Sequence, residues 1–141
     1  MSFLRVFGNY RAFSQAELKL LSKANVIDFV KCGDYCHKSD FVAKMATTAF
    51  VRSCDKNYVF YNIDTRRLPS LETLYLDSHP CEFSVITKLL RDRIKVKYVY
   101  NHSWLDEMSE MHPTLFTKIT DKEMNEKILE YENEHGLFCI K

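Results

Sequence analysis

The stretch Leu68–Asn101 constrains the fold of this chain more than any other. LPSLETLYLDSHP (Leu68–Pro80) has the composition of a strand. EFSVITKLLRD (Glu82–Asp92) places Phe83, Ile86, Leu89 and Leu90 on one side at helical spacing. RIKVKYVYN (Arg93–Asn101) then alternates as a second strand. Strand, helix and strand in this order imply parallel strands joined by a right-handed crossover. In the last segment Arg91, Arg93, Lys95 and Lys97 share one parity, and Ile94, Val96, Tyr98 and Tyr100 the other. A strand buried on both faces is apolar throughout. This one is therefore expected at a sheet edge, or in a sheet covered on one side only.

The N-terminal part reads differently. Phe3–Phe7 is a short apolar segment stopped by Gly8-Asn9, either an added strand or a hydrophobic lead-in. Ser14 and Glu17 fit a capping box, and the spacing of Leu20, Ala24, Ile27 and Lys31 predicts a helix to about Lys31, with Gly33 as its terminal cap. A second helix is expected from Ser39 to near Ser53, with Phe41, Val42, Met45, Ala46, Ala49 and Phe50 as its apolar stripe. The short join between the two predicts an antiparallel helical hairpin. Tyr58–Ile63 is aromatic and β-branched, the composition of a strand.

Beyond Asn101, a short helix is expected over Trp104–Met111, stopped by His112-Pro113, then strand or loop over Thr114–Ile119. Thr120 or Asp121 opens a helix with Met124, Ile128 and Tyr131 inward and a Glu123–Lys127 pair on its surface. Gly136 ends it, and Leu137–Ile140 can pair as a last strand. The fold class is α/β: an N-terminal helical hairpin followed by a small, mainly parallel sheet with crossover helices. We expect one domain over 1–141, with a helical part (1–55) and a sheet-containing part (56–141).

Totals exclude several classes. Three Gly and three Pro argue against a long disordered linker and against a many-turned all-β fold. A net charge of +1 gives the whole chain no case for polyanion binding. That charge is uneven: Asp121–His135 holds six acids and two Lys, a net of −4, which leaves +5 for the rest. The five cysteines, with no secretory signal, read as thiols in a reducing compartment. The first sixteen residues lack acids and hold Arg5 and Arg11, somewhat like a mitochondrial presequence, but the Phe3, Leu4, Val6, Phe7 cluster favours a folded segment. No apolar run approaches the roughly 18 residues of a membrane span, so no membrane partner is expected.

Leu71-x-x-Leu74-x-Leu76-x-x-His79 resembles the leucine-rich-repeat pattern, with His79 where that family has Asn or Cys. The spacing partly recurs in Val96-x-Tyr98-x-x-Asn101, and more loosely in Val59-x-Tyr61-x-x-Asp64. A solenoid needs several such units. Beside two N-terminal helices the chain has no room for them, so the pattern implies one βαβ unit. LPSLETLYLDSHP also resembles small uncharacterised proteins of large nucleocytoplasmic DNA viruses, such as marseilleviruses. That likeness implies a viral protein of the host cytoplasm, nucleus or virion, and it transfers no activity.

Four places carry candidate chemistry. Cys32, Cys36 and His37, with Cys54 further on, offer thiolate and imidazole ligands for zinc, but only one short-spaced knuckle. Buried thiols without metal are the plainer reading. His79-Pro80-Cys81, after a strand and before a helix, places a thiol and an imidazole at the carboxyl end of a sheet, with Asp77, Ser78 and His102 on the same rim. No glycine-rich or phosphate loop accompanies them, and a helix-entry turn explains them equally. Lys88, Arg91, Arg93, Lys95 and Lys97 form a basic stripe near Tyr98 and Tyr100 that suits single-stranded nucleic acid. Alternation turns those tyrosines away from the stripe, which then reads as a solvated face. The acidic helix after Thr120 can dock on that stripe, in its own chain or in a second copy. No catalytic or cofactor signature is present, and no cofactor is expected. The leading expectation is a non-enzymatic protein-interaction or regulatory protein, homodimeric. A small enzyme using His79 and Cys81, and a nucleic-acid binder using the Arg91–Lys97 stripe, are the alternatives.

Overall fold

Seven strands lie in one sheet, and every pairing is parallel. The computed structural model describes residues 2–33, 36–55, 66–77 and 83–141. In chain order these form β1 (Phe3–Phe7), α1 (Gln15–Lys23), β2 (Val26–Val30), β3 (Thr48–Arg52), β4 (Thr73–Leu76) and α2 (Phe83–Arg91). There follow β5 (Lys95–Tyr98), α3 (Ser103–Met111), β6 (Phe116–Lys118), α4 (Asp121–His135) and β7 (Leu137–Ile140). The strand order is β6-β5-β4-β3-β2-β1-β7. The expected α/β class with a parallel sheet and crossover helices is thus the class observed.

The N-terminal helical hairpin is not formed. α1 starts at the expected capping box, with Ser14 Oγ accepting from the Glu17 amide at 3.2 Å and Glu17 accepting from the Ser14 amide at 2.8 Å. It stops at Lys23, because Ala24 is already extended. Residues 26–30, read as the end of that helix, are β2. Residues 48–52, read as the end of the second helix, are β3. Val26-Ile27-Asp28-Phe29-Val30 is β-branched or aromatic at four of its five positions, and its first four residues are buried on both faces of the sheet. A strand of that kind lacks alternation and imitates a buried helix segment. Three strands therefore lie within 1–55, the part expected to be helical. The strand expected over Tyr58–Ile63 lies outside the described residues.

From β1 to β5 each strand pairs with the next, and the register is level. Phe3, Val26, Thr48, Thr73 and Lys95 form one row across the sheet, at intervals of 23, 22, 25 and 22 residues. One step further, Val96 pairs with Phe116, an interval of 20. The next rows are Leu4, Ile27, Ala49, Leu74, Val96 and then Arg5, Asp28, Phe50, Tyr75, Lys97. Gly8 shows how closely successive layers stack: a Cβ there would fall 1.9 Å from the Lys31 carbonyl oxygen.

Successive right-handed crossovers that all step the same way put their helices on one face. Leu21 of α1, Val85, Ile86 and Leu89 of α2, and Leu105 and Met108 of α3 accordingly share a core with Leu4, Ile27, Phe29, Leu74, Leu76 and Tyr98. The chain then returns from β6 across the whole sheet to pair β7 with β1. Reversing the step reverses the face, so α4 lies on the other side. There Met124 and Ile128 pack on Phe3, Val26, Phe50 and Tyr75. α4 has its own capping box, Thr120 with Glu123, and ends at Gly136 with φ 70°, a left-handed value that glycine adopts without strain.

Candidate functional site

The row Arg5–Asp28–Phe50–Tyr75–Lys97 crosses the face beneath α4 with a charge at each end. Asp28 is fully buried, and a carboxylate in such a place requires partners. It has two: Arg5 Nε donates to Oδ2 at 2.8 Å, and Arg52 donates through Nε at 2.8 Å and Nη2 at 2.6 Å. Arg5 then reaches upward, its Nη2 donating to Glu132 of α4 at 2.6 Å. Burial acts to lower the Arg5 pKa, but its bonds to Asp28 and Glu132 outweigh that and hold it above the ordinary arginine value.

Along the row, Phe50 stacks on Tyr75 with centroids 4.5 Å apart. Tyr131 of α4 meets Phe50 edge-on at 6.0 Å and Phe3 at 6.3 Å. Burial raises the Tyr75 hydroxyl pKa. Lys97 lies over the Tyr75 ring at 5.6 Å. Beside it a groove of about 270 Å³ opens between sheet and helix, lined by Tyr75, Lys97, Ile119, Glu123, Glu126, Lys127 and Glu130. On the surface of α4 Lys127 pairs with Glu130 at 3.1 Å rather than with Glu123, and Lys122 with Glu126 at 4.0 Å. The acidic helix thus docks on the sheet face of its own chain, with Glu132 at the Arg5 end and Glu123, Glu126 and Glu130 toward Lys97.

The basic stripe divides between elements. Lys88 and Arg91 belong to α2, in the outer helical layer. Arg93 sits in the following turn with φ 56°. Lys95 and Lys97 alone lie on the sheet face under α4. The loss of continuity follows from α2 running to Arg91, which takes Arg91 out of the strand. Tyr98 is buried and donates to Asp106 at 2.7 Å, with its pKa pushed up to about 12 by burial and by that bond. Burial also raises the Tyr100 pKa. Both rings point away from the lysines, as the alternation requires.

The cysteine cluster does gather at the strand ends. Cys32 follows β2 and Cys54 follows β3, and the Cys32 amide donates to Cys54 Sγ at 3.4 Å. Cys36 Sγ accepts from the Gly33 amide at 3.0 Å. His37 stacks flat on Phe13 at 4.2 Å with Nε2 2.7 Å from the Phe7 carbonyl oxygen. These side chains do not converge on a shared centre: among the described residues no three His, Cys, Asp or Glu side chains are placed to hold a metal ion. Of the enzyme rim, His79, Cys81 and Ser78 lie outside the described residues. Asp77 accepts from the Ser53 amide at 2.6 Å, and His102 caps α3.

The Arg5–Asp28–Arg52–Glu132 network is absent from any reading of the sequence alone. Its partners are separated by 23, 24 and 127 positions. One signal does point to it: an aspartate inside VIDFV is a charge within an apolar run.

Residues 27–104 match DUF5845, a family of unknown function, and that span is more than half of the 141 residues. The chain belongs to this family. The DUF5845 segment runs from β2 to the start of α3. It holds Asp28, Arg52, Tyr75 and Lys97, while Arg5, α4 and β7 lie outside it. An uncharacterised protein of Acanthamoeba polyphaga mimivirus is 28% identical over 96 residues, covering 63% of this chain and 66% of the relative. A second uncharacterised protein of that virus is 40% identical over 42 residues, covering 30% of this chain and 31% of the relative. The chain therefore spans less than two thirds of either relative. No solved structure matches. Kinship with proteins of a large DNA virus stands at this level, and neither comparison names a leucine-rich repeat. Among the described residues no helix is long and apolar enough to cross a membrane.

Proposed function

We propose that this DUF5845 chain is a non-enzymatic protein-interaction module, built on a short leucine-rich-repeat-like solenoid, that self-associates through β7. The near-constant interval between level strands supports the solenoid reading. So does the spacing of Leu4-x-Val6-x-x-Asn9, Ile27-x-Phe29-x-x-Cys32 and Ala49-x-Val51-x-x-Cys54, which repeats that of Leu74-x-Leu76-x-x-His79. The thiols at Cys32, Cys36, Cys54 and Cys139, none in a disulfide, suit a reducing compartment of an infected cell.

The observation that carries the reading is the chemistry of the β7 edge. Sheet edges are normally guarded by lysine, proline or a bulge. β7 is Leu137-Phe138-Cys139-Ile140, without charge, with Leu137 37% and Phe138 55% exposed. The opposite edge, β6, ends in Lys118, which bonds Asn101. A two-fold axis normal to the sheet pairs β7 with β7 of a second copy in antiparallel fashion and joins the two sheets into one. That contact is self-complementary, as a symmetric dimer requires. Light scattering over a wide dilution series is the test. The expected mass is twice 16.7 kDa. Phe138→Lys is expected to return the monomer mass with the wild-type far-UV spectrum, because that ring is more than half exposed in the single chain, and to make the unfolding midpoint independent of protein concentration. A wild-type chain that is monomeric at every concentration overturns the proposal.

A further inference from the structure

We infer that Cys32 and Cys54 form a redox-convertible dithiol that an intracellular hydroperoxide closes into a disulfide, locking two neighbouring layers of the sheet together. The geometry comes from the level register. Val30 pairs with Arg52, and two residues on from each stands a cysteine. Lys31 and Ser53, the residues between, both adopt φ 54°, so the two segments leave the sheet in the same left-handed turn. They remain stacked beyond it: the Lys31 amide donates to the Arg52 carbonyl at 2.9 Å and the Asp55 amide to the Cys32 carbonyl at 3.0 Å.

The two cysteines are thus held one strand spacing apart, about 4.8 Å, which is inside the Cα separation of roughly 4.4–6.8 Å that a disulfide spans. The Cys32 amide donates to Cys54 Sγ at 3.4 Å, which brings the Cys54 sulfur against the Cys32 backbone. The Cys32 thiol is turned to the Val6 and Val30 carbonyls at 3.8 and 3.6 Å, and the Cys54 thiol to the Phe29 and Arg52 carbonyls at 3.5 and 3.4 Å. Closure requires the thiols to rotate off these carbonyls toward each other.

The pair is also asymmetric. Hydrogen bonding from Cys32 lowers the Cys54 pKa against the opposing effect of burial, which favours a thiolate at Cys54. Cys54 is also the more accessible, 8% exposed against 1% for Cys32. The Cys54 thiolate attacks the O–O bond of the hydroperoxide, giving a sulfenic acid and, after protonation, an alcohol. The Cys32 thiol then attacks the Cys54 sulfur and expels water. In sum two thiols and one hydroperoxide give one disulfide, one alcohol and one water, with two electrons passing from sulfur to oxygen. Bulk reductant that reaches only exposed sulfur opens the bridge slowly.

The exposed Cys139 is replaced by Ser to remove intermolecular bridges, and the Cys139→Ser protein is titrated with tert-butyl hydroperoxide. It is then alkylated under denaturing conditions and mapped by mass spectrometry. The expected product has lost two hydrogens, carries a peptide cross-link between Cys32 and Cys54, unfolds at a higher temperature, and reverts with dithiothreitol. Cys54→Ser in the same background is expected to abolish the cross-link. If that variant does not fold, the Cys139→Ser map decides alone. Full alkylation of both Cys32 and Cys54 after peroxide overturns the inference. So does a bridge to Cys36, or a bridge that forms only in denaturant.

Discussion

The two faces of the sheet are closed by different means. On one, Leu4, Ile27, Ala49, Leu74 and Val96 form an apolar row from strand to strand, and three helices cover it. On the other, the matching row is Arg5, Asp28, Phe50, Tyr75 and Lys97, and one helix covers it with two buried side chains, Met124 and Ile128. The first face distributes its stability over many apolar contacts, so the layer behaves as a unit. The second concentrates it in a charge network and a few anchors. A cover held in that way can detach while the sheet beneath it stands.

The largest effect is expected on the apolar face. Leu76 is fully buried between sheet and helices, and Leu76→Ala is expected to cost about 4 kcal/mol of global stability, read by urea unfolding. Next comes the network itself. Asp28→Asn leaves Arg5 and Arg52 without their shared carboxylate. Their side chains are 15% and 24% exposed, so water relieves part of the loss, and about 3 kcal/mol is expected. A cost below about 1 kcal/mol would place Asp28 with ordinary surface pairs and remove the network from the account.

Ile128→Ala tests whether the two faces are separable. Its cost is about 2 kcal/mol, the low end for a buried aliphatic, because the cluster it packs in is the smaller of the two. The informative measurement is hydrogen exchange. Amides of α4 and β7 are expected to exchange faster in this variant while those of β2, β3 and β4 keep their protection. Uniform acceleration across the chain would mean that α4 and the sheet unfold together, and the contrast between the faces would collapse.

The same contrast explains how much of the molecule is readable in its sequence. β5 was identifiable because one of its faces is polar: Lys95 and Lys97 alternate with Val96 and Tyr98. β2 and β3 were not, because most of their residues are buried on both sides, and Leu20, Ala24 and Ile27 happen to fall at helical spacing. Ala49 further masks the third layer, where a Leu would have repeated the pattern of Leu74. Both capping boxes, Ser14 with Glu17 and Thr120 with Glu123, were legible, since they are local in sequence. The charge network was not, since Arg5 and Glu132 meet only when α4 doubles back over the sheet. Among the candidate sites, the cysteines stand out in the sequence as a group, but their pairing depends on a strand register that spacing alone does not encode.

The smallest predicted effect is a pH dependence that sorts the titratable groups by environment. His37 is 4% exposed, its Nε2 engages the Phe7 carbonyl, and its buried Nδ1 has no hydrogen-bond partner among the described residues. Burial lowers its pKa, with nearby Arg11 adding to the effect against the Phe7 carbonyl and Glu17. The unfolded chain, with its histidine near 6.5, then binds a proton that the folded chain refuses. Stability from this source is complete above about pH 6.5 and is lost as pH falls below it. Glu17 acts in a lower window. Paired with Arg11 at 2.6 and 2.7 Å, its carboxyl is pulled down from 4.5 to about 2. Its contribution is present above the unfolded value and is lost as pH falls from there toward about 2. The unfolding midpoint should therefore fall in two acid steps. His37→Gln is expected to flatten the upper step and Glu17→Gln the lower, each leaving the other in place. A midpoint that does not move between pH 7 and about 5 would show that folded His37 takes up its proton as readily as the unfolded chain does.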